Sequence, residues 1–170
     1  TITGNTAESS GGGVFCDSSS FPMIFNTTIS GNRANSGGGV YCSSSTSTIS
    51  NNTITRNSAA GFGGGIYCSS SSPTISNNIV AFNSSGLYQS NGTPTLRNNC
   101  VFGNHAYDYS GVTDPTGANG NISVDPKLAD AGYGNTHIQP DSPCKSAGDD
   151  AAVEAGWVDI DGQTRIQGSH

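Results

Sequence analysis

GGGVYC at residues 37–42 is the stretch on which the reading of this chain turns. Alone it suggests a glycine loop around a phosphate, with a reactive cysteine behind it. It has two companions, GGGVFC at 11–16 and GGGIYC at 63–68, which put Cys16, Cys42 and Cys68 26 residues apart. A fixed period of this size is the mark of a repeat architecture, so the stretch is read as one rung of a series.

Aligning on the cysteines brings other columns into register. Val14, Val40, Ile66 and Leu87 follow the glycines; Ile24, Ile49, Ile75 and Leu96 form a second apolar column. Ile2, Ile29, Ile54, Val80 and Val101 form a third, trailed by Asn5, Asn32, Asn57, Asn83 and Asn104. The last step, from Ile66 to Leu87, is 21 residues, because NSSGL at 83–87 replaces NSAAGFGGGI at 57–66. Each apolar residue is flanked by polar ones, the alternation of a half-buried strand, and no segment has helical periodicity. Three such strands per repeat, joined by Gly, Ser and Asn, describe an all-β, right-handed parallel β-helix of about five coils. Coils stack at the strand spacing of ~4.8 Å. Asn51, Asn77 and Asn98, after the second strand, are expected to turn the chain in the left-handed conformation. Their amides can bond from rung to rung.

Composition agrees with a thin, turn-rich structure: of 170 residues, 32% are hydrophobic and only 11% charged. Ten of the twelve acids lie beyond residue 99, and no basic patch exists, which argues against nucleic acid as a partner. No apolar run approaches the ~20 residues of a membrane span. The coils are expected over 1–104, a surface excursion over 105–120 and a C-terminal cap over 121–167. GSH at 168–170 reads as a tag remnant. The opening, TITGN, falls mid-repeat, as in a fragment or processed form of a longer protein. Its exposed first coil is expected to self-associate.

The tail NIS-VDP-L, then HIQPDSPC, AGD and DIDGQTR, resembles the end of bacterial choice-of-anchor Q surface proteins. That resemblance covers about 121–167 and implies secretion or a cell-surface location. The repeat is similar to the pectin-lyase-like superfamily. Its GGG-V/I motif with ITGN, AFN and FGN also resembles the repeats of chlamydial polymorphic outer-membrane adhesins.

Several residues are candidates for chemistry. A phosphate loop needs a helix after its glycines, and V-Y-C-S-S-S is strand and turn. Alternation turns Cys42 inward as an inert core thiol, so a thiol stack is expected in preference to disulfides between rungs. Cys100 and Cys144 remain candidates to pair and pin the cap. The same alternation turns Phe15, Tyr41, Tyr67 and Tyr88 outward, one per coil, as a carbohydrate-binding row or an anchor for a cell-surface ligand. Thr48, Ser50, Thr74 and Ser76 put hydroxyls outward and resemble an ice-binding face, although ordinary polar strand positions look the same. The catalytic alternative is a cluster of Asp108, His105 and Asp114, which would belong to a polysaccharide lyase or glycoside hydrolase. Asp159 and Asp161 have calcium-loop spacing, so Ca²⁺ is the one cofactor left open; a plain Asp-Gly turn is the competing reading. The leading expectation is a non-catalytic stalk or adhesion module.

Overall fold

The computed structural model describes residues 1–17, 20–159 and 161–164. The chain winds as a parallel β-solenoid, matching the expected right-handed β-helix. The first sheet stacks Val14–Cys16, Val40–Ser43, Ile66–Ser69, Leu87–Ser90 and Tyr109–Ser110. The second stacks Met23–Phe25, Thr48–Ser50, Thr74–Ser76 and Thr95–Arg97. The third stacks Ile2–Thr3, Thr28–Ser30, Thr53–Thr55, Ile79–Ala81 and Cys100–Phe102. Four turns are complete, with a partial turn at either end.

Register follows the sequence columns. Val14, Val40, Ile66 and Leu87 lie on one another, as do Ile24, Ile49, Ile75 and Leu96. Ile29, Ile54, Val80 and Val101 complete the third inward column. These residues and the inward cysteines form one continuous core. Each fully buried aliphatic side chain contributes roughly 1.5–3 kcal/mol. The register is rigid because a slip of one residue would turn every apolar side chain outward.

The turns share one grammar. After the second sheet, Asn26, Asn51, Asn77 and Asn98 are left-handed, with φ between 51° and 58°. After the third sheet the left-handed position is Gly4, Gly31, Arg56, Phe82 or Gly103. In both turns the next residue points inward and forms a ladder. Asn5, Asn32, Asn57, Asn83 and Asn104 make one ladder, and Asn52, Asn78, Asn99 and Asn121 the other. The continuous ladder at the second turn is therefore built by the second Asn of ISNN; Asn51, Asn77 and Asn98 bend the chain and face outward, and one rung-to-rung bond of the kind expected joins them, Asn77 Nδ2 donating to Asn51 Oδ1 at 3.3 Å.

Each rung is fully satisfied. Asn57 Oδ1 accepts from both the backbone N–H and the Nδ2 of Asn32, each at 3.0 Å. Asn57 Nδ2 donates to Ile29 O at 2.9 Å and to Asn83 Oδ1 at 3.0 Å. A buried turn that would otherwise orphan its polar groups is thereby closed.

Within the expected excursion over 105–120, part of the chain lies on the stack. Tyr109–Ser110 pairs with Leu87–Tyr88, and Ile122 bridges Cys100. Tyr109 and Val112 pack on the last core layer, so this segment covers the end of the solenoid. The tail beyond residue 121 begins with a hairpin that reaches the first coil. Leu128–Asp130 and Asn135–Ile138 form an antiparallel pair, and Thr136 Oγ1 lies 3.3 Å from Thr28 Oγ1 of the first coil.

The chain then runs back along the outward asparagines as a strap. Asn98 Nδ2 donates to Ala147 O at 3.3 Å, and Asn77 Nδ2 to Asp149 O at 2.9 Å. Asp149 N returns a bond to Asn77 Oδ1 at 2.9 Å, and Asn51 Nδ2 donates to Ala152 O at 3.0 Å. Trp157 finally stacks on Phe25 of the first coil, centroids 4.6 Å apart and planes within 5°. The strap thus crosses the coils in the reverse of their chain order. The presumed tag at 168–170 and the arginine of DIDGQTR lie outside the described residues, as does Ile160.

Asn57→Ala should cost at least about 3 kcal/mol, since it strips an acceptor from two buried donors and a donor from Ile29 O. Asn5→Ala, at the exposed end of the same ladder, should cost under about 1 kcal/mol; urea titrations of both variants measure the contrast. Trp157 is the only tryptophan. Phe25→Ala should therefore red-shift the intrinsic emission and lower stability by about 1 kcal/mol. An unchanged emission maximum would mean that the strap does not dock there.

Candidate functional site

The glycine runs can be assigned first. Gly37, Gly38, Gly39 and Val40 donate their N–H groups to Phe62, Gly63, Gly64 and Gly65 carbonyls at 2.9–3.1 Å. The N–H groups that a phosphate would need are already spent on the next coil. Gly37 is left-handed at φ 62°, and a Cβ on Gly39 would sit 2.6 Å from Gly65 O. The glycines are required by the turn and by the close approach of successive loops.

The cysteines behind them are core groups. Cys16, Cys42 and Cys68 are in register, buried, and carry free thiols. Burial pushes the Cys68 thiol well up. A hydrogen bond with Cys42, together with burial, pushes Cys16 up. Raised thiols make poor nucleophiles, and Cys42, held below the ordinary range by Cys16 and by Ser47 and Ser45, is fully buried and out of reach of a substrate. The next position in the column is Gln89.

Outward from this sheet stands the aromatic row. Phe15, Tyr41, Tyr67 and Tyr88 pair in register, one ring per coil. Successive centroids are 5.3, 4.9 and 5.0 Å apart. Phe15–Tyr41 and Tyr67–Tyr88 are stacked, with planes within 1° and 13°, and Tyr41–Tyr67 is tilted by 30°. Their faces are turned toward one another along the solenoid, which leaves the ring edges and the tyrosine hydroxyl positions facing outward.

Two residues not expected from the sequence extend the row. Phe62, from the glycine loop, stacks on Tyr88 at 4.5 Å. Tyr107 lies 6.5 Å from Tyr88, and its hydroxyl accepts from Gly63 N at 3.0 Å. Phe62 had one signal, its place immediately before a left-handed glycine. Tyr107 had none, because its segment shares no column with the earlier coils. The row is therefore shielded at the Tyr88 end and open at Phe15, which is 54% exposed.

The hydroxyl rows of the second sheet are as regular as expected: Thr48, Thr74 and Thr95 are in register. Met23 and Arg97 interrupt the array, and Phe25 is covered by Trp157.

The acidic cluster is put to structural use. Asp108 Oδ1 accepts from Asn104 N at 3.0 Å and from Asn104 Nδ2 at 2.8 Å. It terminates the first asparagine ladder in the place where a sixth asparagine would stand. Asp114 Oδ1 accepts from Thr116 N at 2.9 Å within a turn. The His105 side chain is exposed, and among the described residues no ion pair joins it to either acid. Between the acids, burial pushes the Tyr109 hydroxyl up, with the charges of Asp114 and Asp108 adding to the effect.

In the tail, Asp159 Oδ1 accepts from Asp161 N and Gln163 N, both at 2.9 Å. Asp161 Oδ2 lies 2.8 Å from His137 Nε2. These carboxylates shape a turn and hold it to the hairpin. Among the described residues no group of three or more His, Cys, Asp or Glu is arranged to hold a metal ion. No helix among them is long and apolar enough to cross a membrane.

Asp108→Asn keeps the accepting oxygen and should leave stability within about 0.5 kcal/mol, whereas Asp108→Ala should cost about 1–3 kcal/mol. Denaturant titration checks both. If the protein releases unsaturated oligosaccharides from an acidic polysaccharide, and Asp108→Asn abolishes that release while remaining folded, the ladder-terminating role is insufficient.

Comparison with known proteins agrees with this architecture. No curated protein and no solved structure matches the chain. Residues 1–125 match the family described as right handed beta helix region. That match spans the complete coils, both asparagine ladders and the segment that closes the end of the stack, and the chain belongs to the right-handed β-helix family.

Proposed function

We propose that this β-helix domain is a non-catalytic module of a secreted or surface-anchored protein, acting as a stalk or adhesive element. Its ligand surface is the row Phe15, Tyr41, Tyr67 and Tyr88, and carbohydrate is the ligand class. One observation carries the reading: an outward aromatic side chain recurs on every complete coil at the rung spacing of 4.9–5.3 Å. A polymer of sugars repeats on a comparable scale and can follow such a row from coil to coil.

The stacked rings narrow how a sugar would engage. With their faces mutually occupied, Tyr41, Tyr67 and Tyr88 would present edges and hydroxyl groups. Recognition then rests on hydrogen bonds to the hydroxyls, with the open face of Phe15 as an apolar contact at one end. The role of Asp108 as a ladder terminus supports the non-catalytic reading. The tail's resemblance to choice-of-anchor Q proteins supports a secreted or cell-surface location. The N-terminal end of the stack, where Ile2–Thr3, Val14–Cys16 and Met23–Phe25 are the edge strands of the three principal sheets, offers strand edges for self-association.

A glycan array followed by affinity electrophoresis tests the proposal. Tyr41→Phe/Tyr67→Phe keeps the ring stack and removes two hydroxyls, and should weaken binding about tenfold or more. Absence of any glycan ligand, or binding unchanged in both this variant and Tyr41→Ala/Tyr67→Ala, would overturn it.

A further inference from the structure

Cys100 and Cys144 stand apart from the interior thiol column. Cys100 is in register with Ile79, and Ile79 with Thr53, at the outward position of the third sheet. Outward here does not mean solvent, since the strap crosses this face and Cys100 is buried beneath it. Cys144 comes from the strap itself and is half-buried. Both line a cleft of about 440 Å³ between strap and stack, together with Ile79, Ile122 and Ile138. Within it, Cys100 Sγ donates to Val124 O at 3.2 Å. The two thiols are neighbours close enough to perturb each other's ionisation, and Ser142 Oγ accepts from the Cys144 backbone N–H at 3.1 Å.

We infer that Cys100 and Cys144 form a disulfide, made by exchange with a low-molecular-weight disulfide such as oxidised glutathione, that staples the strap to the last complete coil. The roles of the two thiols differ. The neighbouring Cys100 thiol holds the Cys144 thiol below its ordinary range, and Cys144 is the more accessible of the pair. Its thiolate attacks one sulfur of the glutathione disulfide, and the departing glutathione thiolate takes up the proton that Cys144 lost. Cys100, kept protonated by its neighbour Cys144 and by burial, is the resolving group. It gives up its proton and attacks the Cys144 sulfur of the mixed disulfide, and the second glutathione leaves as the thiol. Two cysteines are oxidised and one glutathione disulfide is reduced to two thiols.

The column of Cys16, Cys42 and Cys68 is unsuited to the same reaction. Its side chains project in one direction from stacked strands and lie inside the core. The staple falls where it has most to hold. The strap enters the turn column at Ala147, just after Cys144, and its attachments beyond that point include amide bonds at Asn98 and Asn51, a reciprocal pair at Asn77, and one ring stack. A cross-link at the entry point restricts the unfolded chain and keeps the strap registered on the coils.

The test treats the full chain with oxidised glutathione, quenches with acid, and counts thiols that alkylate after denaturation. The count should fall from five to three. Trypsin should then release peptide 98–127 linked to peptide 128–145. The melting temperature should rise by roughly 5–10 °C. Neither Cys144→Ser nor Cys144→Ala should show that rise, and both should melt as the reduced parent does. Five alkylatable thiols after treatment of the folded protein would overturn the inference. So would a persistent glutathione adduct on Cys144, a link within Cys16, Cys42 and Cys68, or the same thermal shift in both Cys144 variants. None of these outcomes depends on whether a glycan binds the aromatic row.

Discussion

Every coil of this solenoid carries two sharp turns whose backbone groups face the core, where an unpaired N–H or C=O costs about 1–3 kcal/mol. The asparagine ladders meet that demand. A side-chain amide has one acceptor and two donors, enough to serve its own turn and the rungs on either side. Asn57 and Asn78 each receive two N–H groups from one rung and donate to the next, so no ladder bond is independent of its neighbours. The solenoid therefore gains register from polar side chains as well as from apolar columns. That matters in a chain with only 32% hydrophobic residues. It also explains why a ladder must be terminated: Asp108 and Asn121 supply the last acceptors at the end of the stack.

The periphery follows from the same requirement. A solenoid has open ends and a long flank, and both are hazards if left as bare strand edges or unpaired turns. Tyr109 and Val112 close one end by packing on the last core layer. The strap serves the flank. Each left-handed asparagine needs its conformation for the bend, and that conformation aims its amide outward at rung spacing. A segment laid along this row finds a hydrogen-bond partner on each coil from Asn98 down to Asn51. Phe25 and Trp157 finish the contact with an apolar stack.

Residues that look chemical in a linear reading are largely explained by these demands. The glycines permit the close passage of adjacent loops, the interior cysteines fill core volume, and the acids at 108, 114, 159 and 161 cap a ladder or shape turns. The aromatic row is different. Its outward placement is not required by the turns or by the core. It recurs where Ser or Thr would serve the strand equally well, and it therefore carries the functional proposal.

The sequence alone determined the period, the three strands per coil, the inward columns and the outward aromatic row, because a period-2 pattern assigns each side chain to a face once the rung is known. The left-handed residues at the turns were legible in ISNN for the same local reason. Which asparagine of that pair builds the ladder was not legible, since the two are chemically identical and alternation fails at a left-handed bend. The continuation at Tyr109–Ser110 was hidden because its rung lacks the glycine and asparagine markers of the others. The path of the strap was hidden as well. Nothing local in residues 144–157 encodes a partner more than a hundred residues earlier, and its bonds exist only after stacking has lined up the outward amides. Local pattern fixes which way a side chain faces; only the assembled stack decides what it meets there.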